Sequence, residues 1–425
     1  MISTHRLGSG FAAIAGLLLA GCSLMNQPWK KHEAPSPPVV EAAPEPPPLP
    51  ELPLPQAMHR FELVDLDTHV VGDVQLTIAS KEDTLPDIAR RFNVGYEEIV
   101  RANPGVDPWL PGAGKRIVVP TRFVLPNAPY DGVVINLAAL RLYYFPKHAK
   151  GEAQVVYTYP IGIGKVGWKT PEGATKIVSR QKDPVWRPTA AVRKEHADND
   201  DPIPAVVPAG PDNPLGKYKF TLGWPSYLIH GTNKPYGVGL RSSHGCIRLY
   251  PEDIEMLFNA VPLGTTVRVV NQPFLFAFHD GQLLLQAYTV LEDDPRNWSK
   301  AQRTLLAKSM SPALQAAIKA KSIDVNWDAV SEVTHQPRGI PVRVSASDDA
   351  APDTVEGVVA AAALVQNRIP EGANWDGADD IERDEASYQQ VLRERERPVT
   401  AKPAAPLPAK GTATAVPAAP PRPRG

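Results

Sequence analysis

Proline decides where this chain can fold. From Ala34 to Gln56 it recurs at almost every second position: Pro35, Pro37, Pro38, Pro44, Pro46, Pro47, Pro48, Pro50, Pro53 and Pro55. Each one fixes φ and removes a backbone donor, so no sheet or core can form there. A semi-rigid polyproline-like spacer rising about 3.1 Å per residue is the expectation. Beyond Ser345 the chain turns acidic, then rich in alanine and proline (Pro403, Pro406, Pro408, Pro417, Pro420, Pro421, Pro423), and residues 346–425 read as disordered. Globular structure is thereby confined to residues 71–345. The formal net charge of −1 argues against a nucleic-acid partner.

The chain has two cysteines, and each has its own setting. Cys22 closes Leu19-Ala20-Gly21-Cys22, after Arg6 and an apolar stretch from Phe11 to Ala20. That stretch is too short to cross a bilayer core of ~30 Å and reads as a signal peptide over residues 1–21. The L-A-G-C ending resembles the lipobox of bacterial lipoproteins. The resemblance implies a diacylated Cys22 as the new N-terminus, with residues 22–70 as a linker. Membrane contact would then run through the N-terminal lipid only, and Ser23 favours the outer membrane. The spacer could hold the rest of the protein ~100 Å or more from the lipid. The alternatives are an ordinary cleaved signal or a Cys22–Cys246 disulfide. With Cys22 lipidated, Cys246 is one free thiol in an oxidising compartment, the periplasm, where a thiol kept only for packing is a liability. A nucleophile is the better reading.

Residues 71–122 hold a compact pattern. A strand, Val74 to Ile78, is followed by Asp83-Thr84-Leu85-Pro86, where Asp83 or Thr84 can cap a helix and Pro86 suits its first turn. Leu85, Ile88, Ala89 and Phe92 then share one helical face. Ile99 and Ala102 mark a second short helix after Gly95, and Arg116 to Val119 a closing strand. The order D-T-L, I-A-x-x-F, N-P, I-x-x-P resembles the LysM module. That implies binding to glycan strands containing N-acetylglucosamine, although Glu82 stands where the family commonly has glycine.

Strand signals dominate from Gly132 to Asn271. Val133 to Asn136, Leu140 to Phe145, Val155 to Tyr159, Thr175 to Val178 and Lys217 to Thr221 are β-branched or aromatic runs bounded by glycine and proline. One helix interrupts them, Pro251 to Phe258, with a proline start and an acidic first turn. The fold class is mostly β: a β-sandwich-like domain with one short helix over 131–271, behind a βααβ module.

The chemistry lies in Ser243-His244-Gly245-Cys246-Ile247-Arg248 and upstream Ile229-His230-Gly231-Thr232-Asn233. A cysteine near its free pKa of ~8.5 is mostly protonated at neutral pH, and a histidine partner activates it. His230 ends an apolar strand, and Gly231 leaves a carbonyl bare enough to orient the imidazole. Gly245 lets a substrate approach and frees backbone N–H groups for a developing oxyanion. Arg248 is placed for a carboxylate. Trp168 and Tyr236, in glycine-rich stretches, are candidates to line the cleft. These parts suit acyl transfer.

The S-H-G-C-I-R-L segment, the upstream H-G-T-N and Thr170-Pro171-Glu172-Gly173 resemble the YkuD-type L,D-transpeptidases of bacterial walls. The resemblance implies that Cys246 attacks the third residue of a peptidoglycan stem peptide and expels the terminal D-alanine. It makes His230 the base and acid, and the Gly245 and Cys246 N–H groups the oxyanion donors. Ser243 and His244 support the loop. No cofactor and no metal are implied. The acceptor is an amine of a second stem peptide, giving a crosslink, a lysine of another protein, tethering it to the wall, or water, which would make the enzyme a hydrolase. Arg248 stands where some members carry asparagine.

Three rival chemistries fit the sequence less well. His230, His244 and Cys246 give only three zinc ligands, and His-Gly-Cys chelates poorly. A serine transpeptidase needs K-T-G, which is absent; the lone S-x-x-K at Ser179 is chance. A non-enzymatic wall-binding lipoprotein would need neither Cys246 nor His230. After Asn271, a strand hairpin around Asp280-Gly281 and helical stretches near Gln302–Ser309, Pro312–Ala320 and Trp327–Val333 read as a small α+β appendage over 272–345. The LysM-like and thiol modules are expected to be separable, so that a fragment of residues 125–345 keeps its chemistry.

Overall fold

The computed structural model describes residues 52–55, 60–64, 69–346 and 354–369, without the side chains of 300–302. The signal peptide, Cys22, most of the proline spacer and residues 370–425 lie outside the described residues. No helix among the described residues is long and apolar enough to cross a membrane.

The chain begins with β1 (Arg60–Leu63) and β2 (Val70–Val71) and enters the small module at β3 (Gln75–Ile78). Helices α1 (Leu85–Arg91) and α2 (Tyr96–Ala102) precede β4 (Arg116–Val119) and β5 (Phe123–Val124). Thr84 caps α1: its Oγ1 accepts from Asp87 N–H, and the Asp87 carboxylate accepts from Thr84 N–H at 2.9 Å. Leu85, Ile88, Ala89 and Phe92 bury against Ile99, Ile117 and Val119. Asn103 ties α2 to β4, its Nδ2 donating to Ile99 O and Val118 O at 2.8 Å while its Oδ1 accepts from Val118 N.

The larger domain contributes β6 (Gly132–Asn136), β7 (Arg141–Phe145), β8 (Gln154–Pro160), β9 (Ile163–Gly164) and the long β10 (Gly173–Lys182). After α3 (Ala190–Asp198) come β11 (Tyr218–Leu222), β12 (Leu228–His230), β13 (Arg241–Ser243) and β14 (Ile247–Arg248). Helix α4 (Pro251–Ala260) and β15 (Thr266–Val270) complete it. The strands order as β1-β8-β7-β6-β15-β10-β11-β12-β14. Residues 173–176 of β10 pair with β15 and residues 177–182 with β11, with a register shift between Ile177 and Ser179. Both halves of the sheet share one core, in which Val133, Leu142, Tyr159 and Val267 meet Phe220, Leu222, Ile229, Ile247 and the α4 residues Ile254 and Leu257. Each such side chain contributes about 1.5–3 kcal/mol of burial. Two sequence expectations need correction here. Helix α3 is a second helix in this domain, and Arg60–Leu63, read as linker, forms β1 and pairs antiparallel with β8.

The appendage opens with the hairpin β16 (Phe274–His279) and β17 (Gln282–Ala287). Asp280 and Gly281 both take positive φ (50° and 77°), the combination a two-residue primed turn requires. Helices α5 (Trp298–Ser309), α6 (Pro312–Ala320) and α7 (Trp327–His335) precede β18 (Val342–Arg343), which pairs with β17. The expected disorder from 346 onward fails for one stretch. Residues 354–369 form α8 (Val355–Ala361) and β19 (Ala363–Leu364), which adds in parallel to the edge of β3.

The small module is bonded into the larger domain through buried polar groups. Glu98 of α2 and Arg141 of β7 pair in bidentate fashion, and Arg141 also donates to Asn93 O and Thr158 Oγ1. Arg90 pairs with Glu252 through two bonds, and Asn93 Nδ2 donates to Asp253 Oδ1 at 2.6 Å. Tyr250 O–H donates to Val94 O. Cutting between the modules would strand these groups, so in the folded chain the two modules share a buried polar interface.

Candidate active site

Parallel pairing of β12 with β14 builds the site. Ile229 faces Ile247 and His230 faces Arg248, which sets the histidine strand beside the segment that follows the thiol. His230 is buried, and its Nδ1 lies 2.6 Å from Gly231 O. A carbonyl only accepts, so Nδ1 carries the proton and Nε2 keeps its lone pair. Burial, aided by the positive Arg248, lowers the His230 pKa to about 3. The ring is therefore neutral at any physiological pH. A Cβ on Gly231 would come within 2.9 Å of Ile254 Cγ2, so α4 packing demands glycine there.

Cys246 is half-buried, and its Sγ reaches 3.7 Å to Ser226 O. Burial raises the thiol pKa, against opposing help from Leu228 backbone and Arg248. The resting pair is thus thiol plus neutral imidazole. Gly245 sits at φ +102°, and the Tyr227 ring leaves 2.9 Å for any Cβ there, which excludes other residues twice over. Ser243 Oγ donates to Cys246 O at 2.6 Å and accepts from Gly245 N–H at 3.2 Å. The Gly245 N–H is therefore turned into the loop. Thr170, 2% exposed, donates from Oγ1 to Gly245 O.

His244 is held in a clamp made by α3. Its Nε2 lies 3.4 Å from Glu195 Oε2 without hydrogen-bond alignment, and its ring stands edge-on to Trp168, with centroids 4.8 Å apart. Glu195 also binds the Lys165 ammonium, which is the main reason its carboxyl stays below the usual range. Burial lowers the His244 pKa, with Lys165 adding to the effect. Helix α3 thereby closes one wall over the loop between β9 and β10.

Arg248 reaches Ser242 Oγ at 3.2 Å through a terminal nitrogen, while its Nε has no hydrogen-bond partner among the described residues. Tyr236, with Pro86, Arg90, Tyr96 and Tyr250, lines a gap of about 10 Å³ at the junction with the small module, room for one water at most. There α2 begins against the larger domain, Tyr96 N–H donating to Val238 O and Glu97 N–H to Gly239 O. Sequence alone assigns no role to Thr170, Tyr227, Glu195 or Lys165. Only Thr170 left a trace, as the first residue of the T-P-E-G run. Among the described residues, no group of three or more His, Cys, Asp or Glu side chains is arranged to hold a metal ion.

A half-buried thiol, a neutral imidazole on the neighbouring strand and backbone amides pinned by hydroxyls suit acyl transfer through sulfur. Residues 131–269 match the L,D-transpeptidase catalytic domain YkuD, and residues 80–120 match the LysM domain. A probable L,D-transpeptidase ErfK/SrfK of Salmonella typhimurium is 38% identical over 283 residues, 66% of this chain and 89% of that protein. A probable L,D-transpeptidase YcfS of Escherichia coli is 36% identical over 303 residues, 69% of this chain and 90% of that protein. The solved catalytic domain of the E. faecium L,D-transpeptidase acylated by ertapenem overlaps 33% of this chain and 95% of that one, at 25% identity and a TM-score of 0.24. The chain belongs to the L,D-transpeptidase family and carries a LysM domain ahead of its catalytic domain.

Proposed function

We propose that this enzyme is a peptidoglycan L,D-transpeptidase whose nucleophile is Cys246 and whose base is His230. The observation that carries the reading is the Nδ1–H···O=C bond from His230 to Gly231, which leaves an unprotonated Nε2 lone pair on the strand beside the thiol segment. As sulfur attacks the diaminopimelate carbonyl of a tetrapeptide stem, the thiol proton passes to Nε2. The tetrahedral oxyanion meets the Cys246 N–H, since Gly245 N–H is engaged by Ser243. Collapse breaks the peptide bond, and Nε2–H protonates the departing D-alanine amine. An amine of a second stem peptide then attacks the thioester, giving a 3→3 crosslink and restoring the thiol. A protein lysine in its place would tether that protein to the wall. Arg248 grips a substrate carboxylate and Trp168 borders the cleft.

The LysM domain supports glycan binding, and the relatives named above support a periplasmic setting in a Gram-negative cell. In this reading Cys22 carries the lipid, residues 23–59 act as spacer and the anchor lies in the outer membrane. Incubation with purified tetrapeptide muropeptides, with products identified by mass, tests the proposal. Loss of D-alanine with crosslinked dimer is expected from wild type and neither from Cys246→Ala. A wild-type protein that pulls down sacculi yet converts nothing would instead favour a wall-binding lipoprotein.

A further inference from the structure

The Thr170 hydroxyl has one proton and two partners. Gly164 N–H can only donate to it, at 3.1 Å, so its own proton is committed to Gly245 O at 2.9 Å. That carbonyl belongs to the same planar, trans peptide unit as the Cys246 N–H, and in such a unit the two bonds point opposite ways. Holding one therefore aims the other. Ser243 acts on the flanking units, through Gly245 N–H and Cys246 O, and leaves the central one untouched. The central unit needs a lock. Gly245 at φ +102° has the freedom that makes a peptide flip cheap.

We propose that Thr170 is a positioning residue for the reaction: it sets the direction of the Cys246 N–H that meets the oxyanion, and ties that direction to β9 through Gly164. The inference rests on Cys246 being the nucleophile. It explains why a fully buried hydroxyl is spent on a loop carbonyl. Gly164 itself cannot carry a side chain, since a Cβ there would meet Trp168 O at 1.9 Å and Gly245 Cα at 2.9 Å.

The test compares two reactions of one thiol. Alkylation by iodoacetamide builds no oxyanion, whereas acylation by a tetrapeptide stem or a carbapenem does. Thr170→Val is expected to slow acylation about 10- to 100-fold, short of the loss of a whole donor, with alkylation within about twofold of wild type. Thr170→Ser should bring acylation back to within about threefold of wild type. Should Thr170→Val fail to fold, Thr170→Ala against Thr170→Ser makes the same comparison. Parallel loss of alkylation and acylation would mean that Thr170 merely holds the thiol loop. Unchanged acylation, or no rescue by serine, would equally overturn the proposal. Acylation persisting in Cys246→Ala would instead refute the nucleophile assignment itself.

Discussion

Glu98 of the LysM domain and Arg141 of the catalytic sheet form an ion pair sealed from water, with Oε1–Nε at 2.8 Å and Oε2–Nη2 at 3.0 Å and side chains 4% and 0% exposed. Glu98 Oε2 also accepts the Gly95 N–H at 2.6 Å, and the guanidinium lies 4.1 Å over the Phe123 ring. Removing either partner leaves a buried charge, which costs about 3–5 kcal/mol. Glu98→Ala and Arg141→Ala should each lower stability by that order in urea titrations. The double change Glu98→Met with Arg141→Met should cost less than the worse single one. Equal, small effects would mean that the domains are merely adjacent.

The neutral His230 predicts an unusual acid limb. An ordinary imidazole of pKa ~6.5 would be about 97% protonated at pH 5 and useless as a base. With its pKa lowered to about 3, His230 keeps its lone pair there. Carbapenem acylation at pH 5 should retain more than half of its rate at pH 7.5. A fall to a few per cent would show that the base titrates normally.

Asp253 gives a stability effect of opposite pH sense. Burial raises its carboxyl pKa well above the usual range, and Oδ2 has no hydrogen-bond partner among the described residues. A raised pKa contributes stability that is full below the unfolded value near ~3.9 and lost as pH rises through the folded one. Asp253→Asn mimics the protonated form. Its Tm should match wild type at pH 4 and exceed it increasingly toward pH 8. A constant offset across that range would refute the linkage.

Glu195 holds α3 against the catalytic loop through Lys165 and His244. Its side chain is a quarter exposed, so the pair is worth at most about 1 kcal/mol to global stability. Glu195→Gln should leave the urea midpoint nearly unchanged and raise amide exchange in residues 187–201. Unchanged exchange there would mean that α3 is held by other contacts.

Most strands could be read from sequence because β-branched and aromatic runs bounded by glycine and proline admit few other structures. Phe274 to Ala287 is the clearest case, with a turn placed at Asp280-Gly281. What escaped reading did so for physical reasons. Helix α3 buries only Val192, so it has no apolar stripe to detect. Strand β19 is two residues in an alanine-rich stretch and exists only because β3 offers it an edge. Asn93, Glu98 and Arg141 are polar types that composition assigns to the surface, and nothing local betrays their burial against one another. At the site, the thiol and its histidine stood out by residue type. The hydroxyl of Thr170 did not, because its partner is a carbonyl 75 residues away.

The last strand among the described residues closes the sheet of the LysM domain. Thr77 Oγ1 donates to Val365 O across 288 residues, and Leu76 O accepts from Val365 N. As the chain emerges from its N-terminus, the LysM sheet must wait with β3 as a bare edge until residues 363–365 have followed. A chain broken off anywhere before residue 363 never covers that edge.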